Sequence, residues 1–158
     1  MAVYLFTFHA YRSWNADRPQ GYVRKGEGVL PTDLKRAQQY DRLAKHPPVL
    51  FDDGMQNVLA DTTRSVCNKH GWRLHQVVAN PTHLHALISW DGFIEWAEVS
   101  RTLKRQLGSG LSKALDRPGP WFSRGGSRKR VSDREHFDHL MSRYLPRHKG
   151  ASWREGDG

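Results

Sequence analysis

Residues 80–90, Asn-Pro-Thr-His-Leu-His-Ala-Leu-Ile-Ser-Trp, constrain the fold more than any other stretch of the chain. Side chains alternate along a strand, so His83 and His85 point to one face while Leu84, Ala86 and Ile88 point to the other. The apolar set can rest on a core. The two imidazoles then project together from the opposite face, where they can give two nitrogen ligands to one metal ion. The pair alone is a short motif: with 9 His in 158 residues, a His-x-His arises by chance roughly half a time per chain. Its partners elsewhere in the sequence carry the rest of the argument.

The neighbouring segments supply the layers. Val3 to His9 is aromatic and β-branched with apolar residues on both faces, as a central strand requires. Ala10 to Leu30 reads as an irregular excursion. Pro31 to Lys45 reads as a polar helix with Pro at its first turn, stopped by His46-Pro47-Pro48. Asp52 to His70 is the clearest helix. Met55, Val58, Leu59, Thr62 and Val66 form its apolar stripe, Asp52 or Asp53 can cap it, and Gly71 follows its end. Arg73 to Ala79 and His83 to Ser89 are strands joined by Asn80-Pro81-Thr82. Trp96, Val99, Leu103, Leu107, Leu111 and Leu115 line one face of a second long helix, weakened in its middle by Gly108 and Gly110. Trp121 to Ser132 reads as a strand entered through a loop hinged at Gly125-Gly126. Asp133 to Tyr144 is a last helix, capped by Ser132 or Asp133.

This order predicts an α+β fold: a four-stranded, mainly antiparallel sheet with helices on one face, in the split β-α-β order of a ferredoxin-like or RRM-like layer. Residues 1–149 form a single domain in this reading, and 150–158 a disordered tail.

Formal net charge is +9, and the excess is concentrated. Between Arg101 and Arg130 nine Lys/Arg stand against one acid, Asp116, for a net +8. An arbitrary charge run is a solvated face. Here the density, with Trp96, Trp121 and Phe122 nearby, points to a nucleic-acid partner. Cys67, the single cysteine, excludes a disulfide framework or a thiolate zinc cluster and suits a reducing cytoplasm. It falls in a helical apolar stripe, as a buried inert thiol does. The N-terminus lacks the basic region and cleavage pattern of a signal peptide, and no stretch approaches transmembrane length.

Tyr144 on the last helix is the remaining feature. A lone tyrosine on a helix is ordinarily a core aromatic. As a nucleophile a phenol is weak near neutral pH and needs something that activates the phosphate it attacks. A metal held by His83 and His85 would do so.

Several pieces together resemble one family. They are Tyr4-Leu-Phe-Thr-Phe-His9 followed by Tyr11 and Trp14, His46-Pro-Pro-Val49, Asn80-Pro-Thr-His-Leu-His-Ala86, Trp121-Phe-Ser-Arg-Gly-Gly-Ser127 and Tyr144. Over roughly Val3 to Gly150 the chain resembles the single-tyrosine HUH transposases, in particular the insertion-sequence-200-like and REP-associated tyrosine transposases and their domesticated relatives. The resemblance implies an HUH endonuclease fold and a metal-dependent enzyme that cleaves and rejoins single-stranded DNA folded as a hairpin. It implies Mg2+ or Mn2+ as cofactor, Tyr144 as nucleophile forming a 5′-phosphotyrosine, and His83 and His85 as ligands. In the family a third polar ligand lies about one turn past the tyrosine. His148 stands there, with a surface histidine as its other reading and His139, His136, His75 and Gln76 as lesser candidates. Arg101, Lys104, Arg105, Trp121, Arg124, Arg128, Lys129 and Arg130 are the expected DNA contacts. Both cis and trans placement of the tyrosine helix occur in the family, the latter in a homodimer. A cytoplasmic, nucleoid-associated location follows, with no membrane association. Two other classes remain open: a non-catalytic nucleic-acid-binding module of the same fold, and a phosphodiesterase in which water is the nucleophile.

Overall fold

The computed structural model describes residues 1–13 and 46–157, and the backbone of 22–24 and 28–30. The polar helix expected over 31–45 and the aromatic at position 14 lie outside the described residues.

The chain contributes β1 (Ala2–His9), a short ribbon of β2 (Tyr22–Arg24) and β3 (Gly28–Leu30), α1 (Asp53–His70), β4 (Arg73–Ala79), β5 (His83–Trp90), α2 (Trp96–Leu115), β6 (Ser127–Arg130), α3 (Arg134–His139) and β7 (Ala151–Arg154). The β2–β3 pairing replaces part of the excursion expected before residue 31. The main sheet is antiparallel in the order β6-β1-β5-β4-β7. It has five strands, not four. Without β7, the order β6-β1-β5-β4 is the split β-α-β layer read from the sequence.

The fifth strand lies where a disordered tail was expected. Within β7, Ala151 and Trp153 turn inward while Ser152 and Arg154 face solvent. Trp153 packs on the core. Glu155 just beyond is tied back to β4: its backbone N–H donates to the His75 carbonyl, and its carboxylate meets Arg73 and His75. Gly150 allows this return. Its φ is +151°, and a Cβ there would overlap the Ala79 carbonyl oxygen.

The helices follow their sequence signals. The Asp52 carboxylate accepts from Met55 N–H at the start of α1, and Gly71 closes its end in the left-handed conformation. Val99, Leu103, Leu107 and Leu111 are the buried stripe of α2. Gly110, a weak point by propensity, sits where a Cβ would meet the Thr62 hydroxyl at 2.8 Å. It allows α1 and α2 to approach closely. Asp133, not Ser132, caps α3 through His136 N–H. Burial raises the Cys67 thiol to about 12, so it is inert.

Helices cover both faces of the sheet. α1 and α2 share one core with Phe6, Phe8, Leu84, Ala86 and Ile88. On the other face Leu5, Val78 and Leu87 pack with Leu140, Met141 and Leu145 of the C-terminal helical segment. The expectation of helices on one face therefore holds for α1 and α2 and fails for the last helix. The reason lies in β1 and β5, which are apolar on both faces away from the histidine end and need a second cover.

Candidate metal and nucleophile site

The second face carries the site. In β1 and β5 the register pairs His9 with His83, Thr7 with His85 and Leu5 with Leu87. Alternation places these three pairs on one face, polar at one end and apolar toward the middle. His83 and His85 are on the face opposite Leu84, Ala86 and Ile88, as the sequence required.

The C-terminal segment brings the other groups. After α3 the backbone widens into a π-helical turn, Leu140–Tyr144, and tightens into a 3-10 turn, Leu145–Arg147, with Pro146 near its start. Pro146 has no N–H to donate, so regular helix stops there. His148 follows in extended conformation. Its backbone N–H bonds the Leu145 carbonyl, and its ring Nδ1 takes up the Tyr144 carbonyl at 3.0 Å. The broken helix thus folds the His148 ring back beside Tyr144. Buried Leu140 and Leu145 hold the segment against Leu87 and Val78.

Four rings converge. His85 and His148 centroids are 4.4 Å apart, His83 and His85 4.6 Å, and His83 and His148 5.5 Å. The Tyr144 ring lies 5.0 Å from His148 and 5.5 Å from His85. The ligand atoms of the three histidines all fall within 4.8 Å of one another, and the group holds no carboxylate or thiol.

Hydrogen bonds fix which nitrogen His148 and His83 offer. At His148, Nδ1 faces a carbonyl oxygen, so it carries the proton and Nε2 keeps its lone pair. At Asn80, Oδ1 accepts from the backbone N–H of Thr82 and of His83. That assigns its Nδ2 as the donor to His83 Nε2 at 3.1 Å, while His83 Nδ1 faces the Thr82 hydroxyl at 3.0 Å. His85 places Nδ1 against the Thr7 hydroxyl at 2.7 Å and Nε2 against His148 Nε2 at 3.1 Å. A hydroxyl donates or accepts, so Thr7 suits either tautomer of His85.

These contacts fit a bound cation. Two lone pairs facing at 3.1 Å repel unless a proton or a positive ion lies between them. Two nitrogens on one ion at about 2.1 Å each stand roughly 3.0–3.4 Å apart, across octahedral to tetrahedral angles. The His85–His148 separation lies in that span. An ion at His83 Nε2 would take the place of the Asn80 amide. Burial first, then His83, His148 and His9, push the His85 imidazole down to about 3. It is therefore neutral near pH 7, the form that binds metal.

The expected DNA contacts divide. Arg101 and Arg105 are exposed on α2, and Arg124, Arg128, Lys129 and Arg130 are exposed on the edge next to β1. Register opposite Leu5 puts Lys129 on the histidine face, whereas Arg128 and Arg130 pair with Phe6 and Tyr4 and share the face covered by α1 and α2. Arg128 stacks on Trp96, 3.7 Å from the ring centroid. Two residues leave the set. Lys104 donates to the Ser123 and Gly125 carbonyls at 2.6 and 2.8 Å and is half-buried, which lowers its pKa. It holds the loop before β6. Trp121 is 4% exposed and donates from Nε1 to the Ser112 hydroxyl, so its ring fills the core and offers no open stacking face.

The lesser ligand candidates lie elsewhere. His75 is buried between Ser89 and Glu155, His136 accepts from Ser132 N–H, His139 is exposed, and Gln76 is buried on β4. Sequence reasoning missed Thr7, Asn80 and His9. Asn80 and Thr82 were legible as a turn, and the alternation of β1 puts Thr7 and His9 on one face. Only the β1–β5 register sets them beside the two histidines. His9 comes to 5.8 Å from His83 between ring centroids.

No protein-family model matches the chain, and no curated protein matches it by sequence. Its fold is similar to the solved structure of a REP-associated tyrosine transposase bound to a REP hairpin. That match has TM-score 0.50 and 11% identity, over 89% of this chain and 62% of that one. The chain thus spans less than two thirds of that protein's length. A candidate transposase from Deinococcus radiodurans R1 aligns more loosely, at TM-score 0.47 and 15% identity, over 96% of this chain and 94% of that one. Among the described residues no helix is long and apolar enough to cross a membrane.

Proposed function

We propose that the protein is a single-tyrosine HUH transposase or a domesticated relative, which cleaves and rejoins single-stranded DNA through Tyr144. The observation that carries this reading is the convergence of Tyr144 and His148 with His83 and His85, two pairs from distant segments that meet around one point of the sheet. A transposase of similar fold bound to a REP hairpin supports hairpin DNA as the substrate class.

In this reading the Tyr144 hydroxyl attacks the scissile phosphorus. The phosphorus–O3′ bond breaks, the 3′-oxygen leaves as a free hydroxyl, and the strand's 5′-phosphate becomes a phosphotyrosine ester. A 3′-hydroxyl attacking that ester reverses the exchange and releases the tyrosine, so rejoining needs no external energy source. His83, His85 and His148 would hold a divalent ion through their Nε2 atoms. When bound, the ion neutralises charge on the non-bridging phosphate oxygens. Thr7 at His85 Nδ1 and Thr82 at His83 Nδ1 would orient the imidazoles, as supporting hydrogen bonds do at metal sites. Lys129 projects on the histidine face and, with exposed Arg124 in the loop before it, can meet the DNA backbone. All four site groups converge within one chain, which supports the cis placement of Tyr144.

The test is a covalent-adduct assay. Labelled hairpin DNA incubated with the protein and Mn2+, then denatured, should leave label on the protein. Tyr144→Phe should remove the adduct and keep hairpin binding within about twofold, since one oxygen is lost and the ring stays. Binding without any adduct would make the protein a nucleic-acid-binding module. Cutting by Tyr144→Phe would make water the nucleophile.

A further inference from the structure

We propose that His148 sets the ion preference of this site, making it select imidazole-binding transition-metal ions such as Mn2+, Co2+ and Zn2+ over Mg2+. The inference rests on the metal-site reading above and goes beyond it, because that reading leaves the ion open between Mg2+ and Mn2+.

The donor set carries the argument. All three grouped ligands are imidazole nitrogens, and no carboxylate joins them among the described residues. Mg2+ is a hard ion that takes oxygen ligands, demands near-ideal octahedral geometry and keeps most of its water. Imidazole suits the later divalent metals, whose affinity for a nitrogen site rises from Mn2+ through Co2+ and passes its maximum before Zn2+. Three nitrogens with solvent at the remaining positions give Mg2+ little that water does not.

The third ligand decides the balance, and its geometry commits it to nitrogen. Tyr144 C=O holds the His148 Nδ1–H at 3.0 Å, which turns Nε2 toward His85. The ring cannot offer an oxygen, and rotation would forfeit that hydrogen bond. A glutamine at position 148 has comparable reach and would present an amide oxygen instead. His148→Gln therefore changes the donor set from three nitrogens to two nitrogens and one oxygen while leaving the strand histidines in place.

The experiment measures binding on the full chain without DNA. Mn2+, Co2+, Zn2+ and Mg2+ are titrated calorimetrically into wild type, His148→Gln and the His83→Ala/His85→Ala double variant. The visible absorption of bound Co2+ reports nitrogen coordination independently of activity. Wild type should bind Co2+ and Zn2+ at least roughly a hundredfold more tightly than Mg2+, with Mn2+ between them. His148→Gln should shrink the Zn2+/Mg2+ ratio by about tenfold or more and shift the Co2+ bands. Equal affinity of wild type for Mg2+ and Zn2+ overturns the proposal, and that comparison needs no variant to fold. A ratio unchanged in a folded His148→Gln, checked by circular dichroism, also overturns it. If no ion binds wild type more tightly than the double variant, the metal site itself fails and the preference with it.

Discussion

On one face of the sheet, Phe6, Phe8, Leu84, Ala86 and Ile88 lie under two helices of 18 and 20 residues. On the other, Leu5, Val78 and Leu87 meet a helix of six residues with its π and 3-10 turns. The first face buries an almost wholly apolar layer. The second gives up its histidine end to imidazoles, a threonine and a tyrosine. The same two strands build both, because alternation lets one segment present a core to one side and ligands to the other. Apolar packing is therefore concentrated on the face away from the histidines, and the candidate site's face is held by a small cluster around Leu145.

Paired deletions would test that division hardest. Leu103, 0% exposed between α2 and the sheet, should cost about 2–5 kcal/mol as Leu103→Ala in urea denaturation. Adduct formation per folded molecule should be unchanged. Leu145 is also 0% exposed but lies between Tyr144 and Pro146. Leu145→Ala should cost a similar amount and in addition lower adduct yield among folded molecules. Equal yields for the two variants would break the comparison.

Gly150→Ala should come next, at about 1–3 kcal/mol, because the methyl group collides with the Ala79 carbonyl at a φ of +151°. Hydrogen exchange should show β7 amides losing protection ahead of β1 and β5. Uniform loss across the sheet would mean that β7 is not a separable edge.

Thr7→Val keeps the shape and removes the hydroxyl that meets His85 Nδ1. Metal affinity should fall about 10–100-fold with a smaller stability cost, of about 1–2 kcal/mol. Unchanged affinity in a calorimetric titration would remove Thr7 from the site.

The smallest effect concerns pH, at the end of the second face remote from His83, His85 and His148. Burial lowers the His75 pKa, opposed by Glu155 beside Nδ1 and aided by Arg73; Phe137 packs edge-on against the ring. Arg73, ahead of His75, lowers the Glu155 carboxyl. Below about pH 6.5 the unfolded chain takes up a proton on His75 that the folded chain resists. Stability should fall as pH drops from 6.5 through the folded-state range, then further below the ordinary carboxylate range as Glu155 protonates. Urea midpoints for wild type should be steeper in pH 6.5–5 than those for His75→Gln. Identical slopes would show that His75 is not the responsible group.

Sequence alone determined the order of β1, β4, β5 and β6, the two long helices, the caps of α1, the histidine face of β5 and the late tyrosine. Each rests on a local signal: alternation, a 3.6-residue stripe, or a side chain bonding its own backbone a few residues away. Trp121, Lys104 and β7 were beyond such signals. An indole or a long amine reads the same whether it meets DNA, the Ser112 hydroxyl or a pair of carbonyls 19 and 21 residues away. The four residues of β7 are strand only because the exposed edge of β4 pairs with them and Trp153 finds the core. His148 is the plainest case. Four residues past Tyr144 and beyond a proline, its spacing could not say whether it faced water or His85. The π turn, the 3-10 turn and the Tyr144 carbonyl decided it, because they exist only once Leu140 and Leu145 are packed on the sheet.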